Sequence, residues 1–510
     1  MPLGTLGWEG CISPWEPWVG RGVYALGNPG LGAAYIPLGT LGWRTHRNLP
    51  PMDLVAINAR IAEVHRGRKW ILTPDAAASA TPKVEQLREW AAGPLMVIAA
   101  IEGVGELPDV ERIHYTRVTG DTVMGGVRAF IDSVEHPSPE LLAAVDAFDP
   151  DGEAKVLRTG FSRELELAGR PLYGGRPREW WALEDKMTID ELVDAAGITR
   201  APSEIVPVAD APGAAQRLAG DLGSVWVADN TEGWHGGGEY VRWVRDPADV
   251  QPAVDWFSDH AKRVRVMPFL DGIPCSIHGF NTRDGTAVFL PVEMIIFRHA
   301  ERPEFIYGRA ANFWSPPGGI RDEMRRAARD MGALLEERVG YRGGFGIDGV
   351  ATRDGFRPTE LNPRLSVGHF IQAGAGGVPL DSLERLLIAG DLDVAASDLE
   401  ETVVSGAETN RGGGMLIPIL GDHDQAKTGV LFTADGAMAV DADKPNDATL
   451  EIGPGAYRSI IIMRLDPERN PIGPSMAPKA LQAIDLARDL WGVDHPPIIT
   501  APDPFSEHGL

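Results

Sequence analysis

The sequence predicts an α/β protein made of several folding units, and three observations support this. The chain has 510 residues, which at about 150 residues per domain corresponds to three or four units. Apolar residues make up 44% of it, enough to build buried cores. Strand-like and helix-like patterns also alternate over residues 23–131, as they do in open α/β sheets.

The N-terminal part is predicted to form an open-sheet α/β domain over residues 1–182. Strands are predicted in GVYALGNPG, KWILTPD, LMVIAAI and RIHYTRVT, and a helix in MDLVAINARIAEVHRG. The Pro- and Gly-rich passage at 170–181 is typical of a domain boundary. PLGTLGW occurs at 2–8 and again at 37–43, which we interpret as a local duplication because a repeat array needs at least three copies.

Three further units are predicted, over residues 183–265, 266–395 and 396–510. The first contains a capped helix ending at Gly197, then strands in SVWVADN and VRWV on either side of the glycine-rich loop TEGWHGGGEY. The second contains a strand pair with a turn at Asp271–Gly272, a helix over about 321–339 and a hairpin. The third is a C-terminal α/β lobe that ends with a helix over about 478–491.

Charge and cysteine content exclude several classes of function. The 48 basic and 72 acidic residues give a net charge of −24, and no Lys/Arg run occurs, which disfavours nucleic acid and membrane surfaces as partners. Cys11 and Cys275 are too few for a disulfide framework or a zinc site. No secretory leader or membrane-length apolar run is present, so we expect a soluble cytoplasmic protein. GNPGLG is not GxGxxG, and GxxxxGK[ST] is absent, so the sequence indicates neither a Rossmann fingerprint nor a Walker A loop.

The strongest chemical signal lies in GGFGIDGVATRDGFRPTELNPR, which reads as two strands joined at Asp354–Gly355. Asp348 lies on the first strand. Glu360 and Asn362 lie two residues apart, hence on one face of the second. Carboxylate and amide oxygens suit Mg²⁺, which also binds nucleotide phosphates. Arg364, on the same face, could hold a carboxylate or a phosphoryl group. Taken alone, these residues could equally be solvated hairpin acids.

DGV, then ELNPR one hairpin later, the upstream glycine-rich loop and EDK at a helix start resemble the ATP-grasp superfamily of carboxylate–amine ligases, over about residues 183–377. The resemblance implies an ATP-grasp fold with an N-terminal pre-grasp domain, two grasping subdomains (183–265 and 266–395) and a C-terminal lobe. It implies ATP and Mg²⁺ as cofactors and a small-molecule carboxylate and an amine as substrates, joined through an acyl phosphate with release of ADP. A homodimer is an open expectation, because dimers are common in the superfamily.

The resemblance also implies roles for individual residues. The Mg²⁺ ligands are Asp348, Glu360 and Asn362, and the catalytic residues are Arg298 and Arg364. Lys186 matches a phosphate-binding cation, the glycines match a loop that closes over the phosphates, and VMPFL matches the hinge that meets adenine. The nucleotide-binding residues are Lys186, Gly233, Gly236, Gly237, Gly238, Met267, Phe269, Leu270 and Glu293.

Two positions depart from the superfamily pattern. A second phosphate-binding cation usually ends the strand before the glycine-rich loop, where this chain has Ala228. Either Arg242, His235 or Arg298 replaces that charge, or the protein binds ATP weakly. The alternative function is a nucleotide-binding regulatory or scaffold protein without turnover. At the hinge, Met267 stands where an acidic residue is common.

Two resemblances narrow the subfamily. NPRLSVGH is similar to the NxRxQVEH of biotin carboxylases, but Gly368 replaces the glutamate base and Ser366 the glutamine, which disfavours a carboxylase. GFRPTELNPR, FIYGRAANFWSPP and the C-terminal extension resemble actinobacterial peptide ligases of natural-product assembly, such as the pheganomycin peptide ligase. That implies peptide-bond formation in antibiotic biosynthesis. Phosphotransfer to a small acid is a third alternative.

The remaining conspicuous residues are expected to be structural. His299 and His369 lie close to the predicted site, but a single histidine near an active site is more often structural. Cys275 is expected to be a small buried side chain. GDHDQ, around His423, is expected to be a polar loop, and GPGAYRS a tight turn rather than an anion-binding loop.

Overall fold

The computed structural model describes residues 52–505, except for 104, 119–122, 159–163, 232, 234, 421–422, 424–426, 435–436, 442–445 and 455–458. The strand predicted near Val23 and both copies of PLGTLGW therefore lie outside the described residues, as do most of GDHDQ and GPGAYRS. Among the described residues, no helix combines the length and apolarity that crossing a membrane requires.

The N-terminal domain contains a four-stranded sheet in the order β3-β2-β1-β4, and its pairings are parallel. β1 and β2 are buried along their whole lengths because helices cover both faces of the sheet, which explains their continuous apolar sequences. The elements up to the linker are α1 (Leu54–His65), β1 (Trp70–Thr73), α2 (Thr81–Glu89), β2 (Leu95–Ala99), β3 (Arg112–Tyr115), α3 (Val123–Glu135), α4 (Pro139–Phe148), β4 (Lys155–Arg158), β5 (Glu166–Leu167), β6 (Arg170–Pro171) and α5 (Arg178–Ala182).

The small subdomain is an antiparallel sheet in the order β7-β10-β8-β9. Two helices cover one face, where Trp226 and Phe257 are fully buried. The other face is turned to the large subdomain, because Arg265 on it donates to the carbonyl oxygen of Thr359 at 3.2 Å. Its last strand reaches Pro268, beyond the boundary predicted at 265. The elements are β7 (Glu204–Pro207), α7 (Ala211–Leu218), β8 (Ser224–Ala228), β9 (Val241–Val244), α8 (Pro247–His260) and β10 (Arg263–Pro268), preceded by α6 (Ile189–Ala195).

The large subdomain is built on a sheet with the central order β14-β13-β11-β15-β16. α9 covers one face and buries Met331 and Leu335 against Ile347. Successive strand residues alternate in direction, so Asp348 points to the opposite face. α6 packs in the same core as α9, on the large subdomain. The elements are β11 (Ile273–Asn281), β12 (Thr286–Val288), β13 (Val292–His299), β14 (Phe305–Ala311), α9 (Gly318–Val339), β15 (Gly343–Thr352), β16 (Gly355–Asn362), α10 (Val367–Ala375) and α11 (Leu380–Ala389).

The C-terminal lobe is a five-stranded antiparallel sheet in the order β17-β21-β20-β18-β19, covered by one helix. Its last strand adds to the large sheet by pairing with β13. α12 begins at residue 396, where the sequence placed the start of this lobe, but it packs through Leu399 and Val403 in the core shared by the N-terminal domain and the large subdomain. The elements are α12 (Ala396–Thr409), β17 (Gly414–Pro418), β18 (Lys427–Ala434), β19 (Ala437–Val440), β20 (Ala448–Pro454), β21 (Ser459–Leu465), α13 (Ala477–Trp491) and β22 (Ile498–Thr500).

Candidate functional site

The hairpin of β15 and β16 brings the three predicted metal ligands together. Asp348 and Glu360 are directly paired across the two strands, and a register shift follows Asp348. Asn362 Nδ2 donates to Asp348 Oδ2 at 2.9 Å. Burial, and then the Glu360 carboxylate, raise the pKa of Asp348 to about 6. The two carboxylates therefore repel each other at close range.

This donor set fits a magnesium ion. A divalent cation between Asp348 and Glu360 would relieve their repulsion, and Mg²⁺ prefers oxygen ligands. Within the described part of the chain, no group of three His, Cys, Asp or Glu side chains is placed to hold a metal. An ion bound here would therefore draw its remaining oxygens from Asn362, from water and from a substrate phosphate.

Two cations lie against the hairpin acids. Lys186, which is only 7% exposed, places Nζ 2.9 Å from Glu360 Oε2. Arg364 is held between two partners: its Nε donates to Glu184 Oε1 at 2.9 Å and its Nη2 to Asn362 Oδ1 at 2.8 Å. The guanidinium is thereby fixed in orientation beside the carboxylates, which suits it to holding an anionic group.

The glycine-rich loop joins β8 to β9 and includes all four predicted glycines. Gly233, Gly237 and Gly238 have φ values of 88°, 62° and 78°, a left-handed conformation that residues with a Cβ seldom adopt. The loop is fastened to the N-terminal domain, because Arg128 donates to both carboxylate oxygens of Glu239, at 2.8 and 3.1 Å. The structure thus holds the loop between two domains.

The hinge is the connection between β10, the last strand of the small sheet, and β11, the first strand of the large one. Met267 is buried at the end of β10, while Phe269 and Leu270 are half-buried in the connection. The backbone N–H of Phe269 is already used, since it donates to the Gly223 carbonyl oxygen at 3.0 Å. This N–H is therefore not free to bind adenine. The Phe269 ring stacks on Trp243 at a centroid distance of 4.5 Å.

Arg298 does not join Arg364, contrary to the pairing predicted for them. Its guanidinium lies 4.9 Å from the Phe269 ring centroid and 5.5 Å from that of Trp243, and 4.0 Å from Asp271. Val292, not Arg298, lies level with the metal-ligand row, because it pairs with the same β11 residue as Asp348. Six residues of strand, roughly 20 Å, separate the two levels. Arg298 is a hinge residue.

Glu293 is not a nucleotide-binding residue in this geometry, which corrects the prediction. It faces the side of the sheet opposite to Asp348, since it pairs with Cys275. Its carboxylate accepts from Ser475 Oγ at 2.5 Å, from the Met476 N–H at 2.7 Å and from the Ala477 N–H at 3.2 Å. It caps the N-terminus of α13 and so ties the C-terminal lobe to the large sheet.

Sequence reasoning missed two residues of β14. A bulge places two residues of β14 opposite one residue of β13, and Arg309 in this bulge has a φ of 81°. Burial, and then the Asp348 carboxylate, raise the pKa of Tyr307 to about 12, while the nearby Arg309 and Arg364 act in the opposite direction. Burial lowers the pKa of Arg309 to about 10. The only local signal for this bulge is the glycine before Arg309.

A further missed residue, Ser276, lies behind the predicted metal ligands. The Ser276 side chain hydrogen-bonds Asp348, and its Oγ lies 3.2 Å from His278 Nε2. His278 in turn meets the His369 ring at a centroid distance of 4.5 Å. His369 is fully buried and its Nε2 contacts the Gly279 carbonyl oxygen at 3.1 Å. These contacts support the structural role expected for His369.

Comparisons with known proteins give the fold. No protein-family model matches the chain, and none of the curated proteins matches it significantly. A biotin carboxylase from Campylobacter jejuni, solved as a β,γ-ATP complex, has a TM-score of 0.50 at 12% identity over 85% of this chain and 92% of that one. Pyruvate carboxylase from Rhizobium etli has the same TM-score and identity over 85% of this chain but only 38% of that one. An L-amino acid ligase from Bacillus licheniformis has a TM-score of 0.49 at 15% identity, over 86% and 100%. The predicted ATP-grasp fold is confirmed.

Proposed function

We propose that this protein is an ATP- and Mg²⁺-dependent, ADP-forming ligase that joins a carboxylate to an amine in an amide or peptide bond. One observation carries the proposal: Asp348, Glu360 and Asn362 converge at the β15–β16 hairpin with Lys186 and Arg364. Oxygen ligands for a metal and cations for phosphate and carboxylate groups are then available at one place.

The proposed reaction needs only three reactants, the acid, ATP and the amine. A carboxylate oxygen of the acid attacks the γ-phosphorus of ATP, and ADP leaves. The amine then attacks the acyl carbon, loses a proton, and phosphate leaves. Mg²⁺, when bound, supplies charge neutralisation on the phosphates. Arg364 orients the acid, Lys186 meets a phosphate, and the glycine-rich loop excludes water, which would otherwise hydrolyse the activated acid.

The structure supplies a physical argument against carboxylase chemistry. A Cβ added at Gly368 would lie 2.6 Å from His278 Nε2 and 2.9 Å from its Nδ1, and closer still to Cε1. The glutamate base that biotin carboxylases have at this position therefore does not fit. This observation supports an organic carboxylate, rather than bicarbonate, as the acid that ATP activates.

The finer assignments are proposals as well. We propose an amino-acid-like acid and an amino acid or peptide as the amine, in a natural-product pathway, on the strength of GFRPTELNPR and FIYGRAANFWSPP. We further propose a cytoplasmic location. We also propose a homodimer, whose mass light scattering would measure directly.

The test is phosphate release from ATP and Mg²⁺ with a panel of amino acids and short peptides, supplied singly and in pairs, with mass spectrometry of the products. We expect release that requires a pair and a product mass equal to their sum minus water. Glu360→Ala should abolish turnover and leave the circular dichroism spectrum unchanged, whereas Glu401→Ala, an exposed helical control, should be fully active. An active Glu360→Ala enzyme would contradict the proposed metal site.

A further inference from the structure

His235, in the glycine-rich loop, has a buried nitrogen that nothing in the described part of the chain satisfies. The side chain is only 3% exposed, and its Nε2 is buried without a hydrogen-bond partner among the described residues. A buried polar atom without a partner costs about 1–3 kcal/mol, and native proteins contain few of them. Such an atom in the glycine-rich loop, close to Lys186, indicates a ligand contact.

The other contacts of the ring fix its direction. Backbone groups of Ala228 and Asp229 hydrogen-bond the ring, and since Nε2 has no partner, those bonds belong to Nδ1. Tyr240 packs edge-on against the imidazole at a centroid distance of 4.7 Å. The ammonium of Lys186 lies close enough to lower the pKa of the ring. His235 therefore stands at the end of β8, beside a cation that also contacts Glu360.

Arg242 and Arg298, the other two candidates for the phosphate-binding charge missing at Ala228, are engaged elsewhere. Arg242 donates to the Glu239 carbonyl oxygen at 2.9 Å and stacks 3.6 Å from the Trp256 ring centroid. Arg298 stacks at the hinge. Ala228 itself brings no charge. Of these candidates, His235 alone adjoins both Ala228 and Lys186.

We propose that His235 is a phosphate-binding residue, whose imidazole takes up a proton when ATP binds and donates from Nε2 to a phosphate oxygen next to Lys186. This inference rests on the proposed function only as far as ATP binding and does not depend on the ligase reaction.

The proton uptake follows from the surroundings of the ring. Burial, and then Lys186, lower the pKa of His235 to about 4, so the ring is neutral at pH 7 before nucleotide arrives. With the Nδ1 hydrogen donated to the backbone, neutral Nε2 carries a lone pair and cannot donate. The charged and titratable groups that face the ring are Lys186, Glu239 and Tyr240. The phosphates of ATP carry more negative charge than Lys186 carries positive charge. Their binding therefore raises the pKa of the His235 ring and favours the imidazolium.

Calorimetric titration with the non-hydrolysable analogue AMP-PNP plus Mg²⁺, and separately with adenosine, tests the proposal. His235→Ala should weaken AMP-PNP binding by about 10- to 100-fold, the effect of one hydrogen bond to a charged group, and leave adenosine binding unchanged. His235→Gln keeps a donor near Nε2 and should recover part of the affinity. His136→Ala, at an exposed histidine just after α3, is the matched control and should bind as the wild type does.

Repeating the titrations in buffers of different ionisation enthalpy measures the proton uptake. Wild-type protein should take up more protons per AMP-PNP at pH 7 than His235→Gln, and its affinity should rise as the pH falls. Equal losses for AMP-PNP and adenosine in His235→Ala would show a purely structural loop residue and overturn the proposal, as would unchanged AMP-PNP affinity. Wild-type protein that binds neither ligand would overturn the proposed ATP dependence too, whereas nucleotide binding with no ligase product would leave only the proposed reaction in doubt.

Discussion

Replacing Gly368 with alanine tests the packing behind the proposed metal ligands. Gly368 lies in the first turn of α10, and a methyl group there would overlap the His278 ring, with the nearest nitrogen at 2.6 Å. Contacts between such atoms are ordinarily about 3.5 Å or more. His278 is only 2% exposed and its Nε2 contacts Ser276, so the ring has little room to move aside.

The expected magnitude follows from two opposing effects. In a helix without the overlap, alanine would be more stable than glycine by up to about 1 kcal/mol. Overpacking a well-filled core costs about 1–3 kcal/mol. We therefore expect Gly368→Ala to lower the free energy of unfolding by about 1–2 kcal/mol, and to lower turnover because the displaced His278 ring pushes on Ser276 and hence on Asp348.

A double-mutant cycle measured by urea denaturation checks this reasoning. His278→Ala removes the ring, so Gly368→Ala on that background should be neutral or slightly stabilising. Gly376→Ala is the matched control. Its added Cβ would lie 2.9 Å from the Thr402 carbonyl oxygen, away from His278, so removal of the His278 ring should not change its cost. An equal cost of Gly368→Ala with and without the His278 ring would refute the overlap as its cause.

Three further outcomes are expected. Arg309→Ala should raise KM for the acid substrate about tenfold or more with little change in KM for ATP. The reason is that the bulge directs this buried guanidinium towards Tyr307, beside the proposed metal ligands. Steady-state kinetics with each substrate varied in turn measures both KM values, and equal changes in the two would contradict the prediction. Arg128→Ala should release the glycine-rich loop from the N-terminal domain and increase proteolysis at that loop, detected by limited digestion with and without AMP-PNP. Burial raises the pKa of Asp75 to about 7, above its unfolded value near 4, so the protonated residue favours the folded state and this contribution is lost as the pH rises from about 4 through 7. Asp75→Asn should therefore be more stable than wild type by about 1–4 kcal/mol at pH 8, and the difference should shrink towards pH 4. Urea denaturation at several pH values measures the difference, and a constant value across that range would contradict the prediction.

Local patterns in the sequence predicted several of the strands and helices and the residues at the centre of the proposed site. Continuous apolar runs identified β1 and β2, because strands buried on both faces need no polar side chains. The two-residue spacing of Glu360 and Asn362 placed them on one face, since strand geometry alone determines which residues share a face. Arg364 lies beyond the end of β16, and its contact with Asn362 brings it to the same place. The spacing to Asp348 across a hairpin turn is equally local.

Only the tertiary structure decided the contacts between distant segments. Glu293 and Arg298 lie five residues apart on β13, but pairing with neighbouring strands directs one to the start of α13 and the other to the hinge. The bulge that holds Arg309 depends on the register between β13 and β14, which no local pattern encodes. His235 was one of three candidates until the fold of the loop set it against Ala228 and Lys186. Strand geometry fixes which side chains share a face, whereas the packing of whole subdomains determines what that face meets.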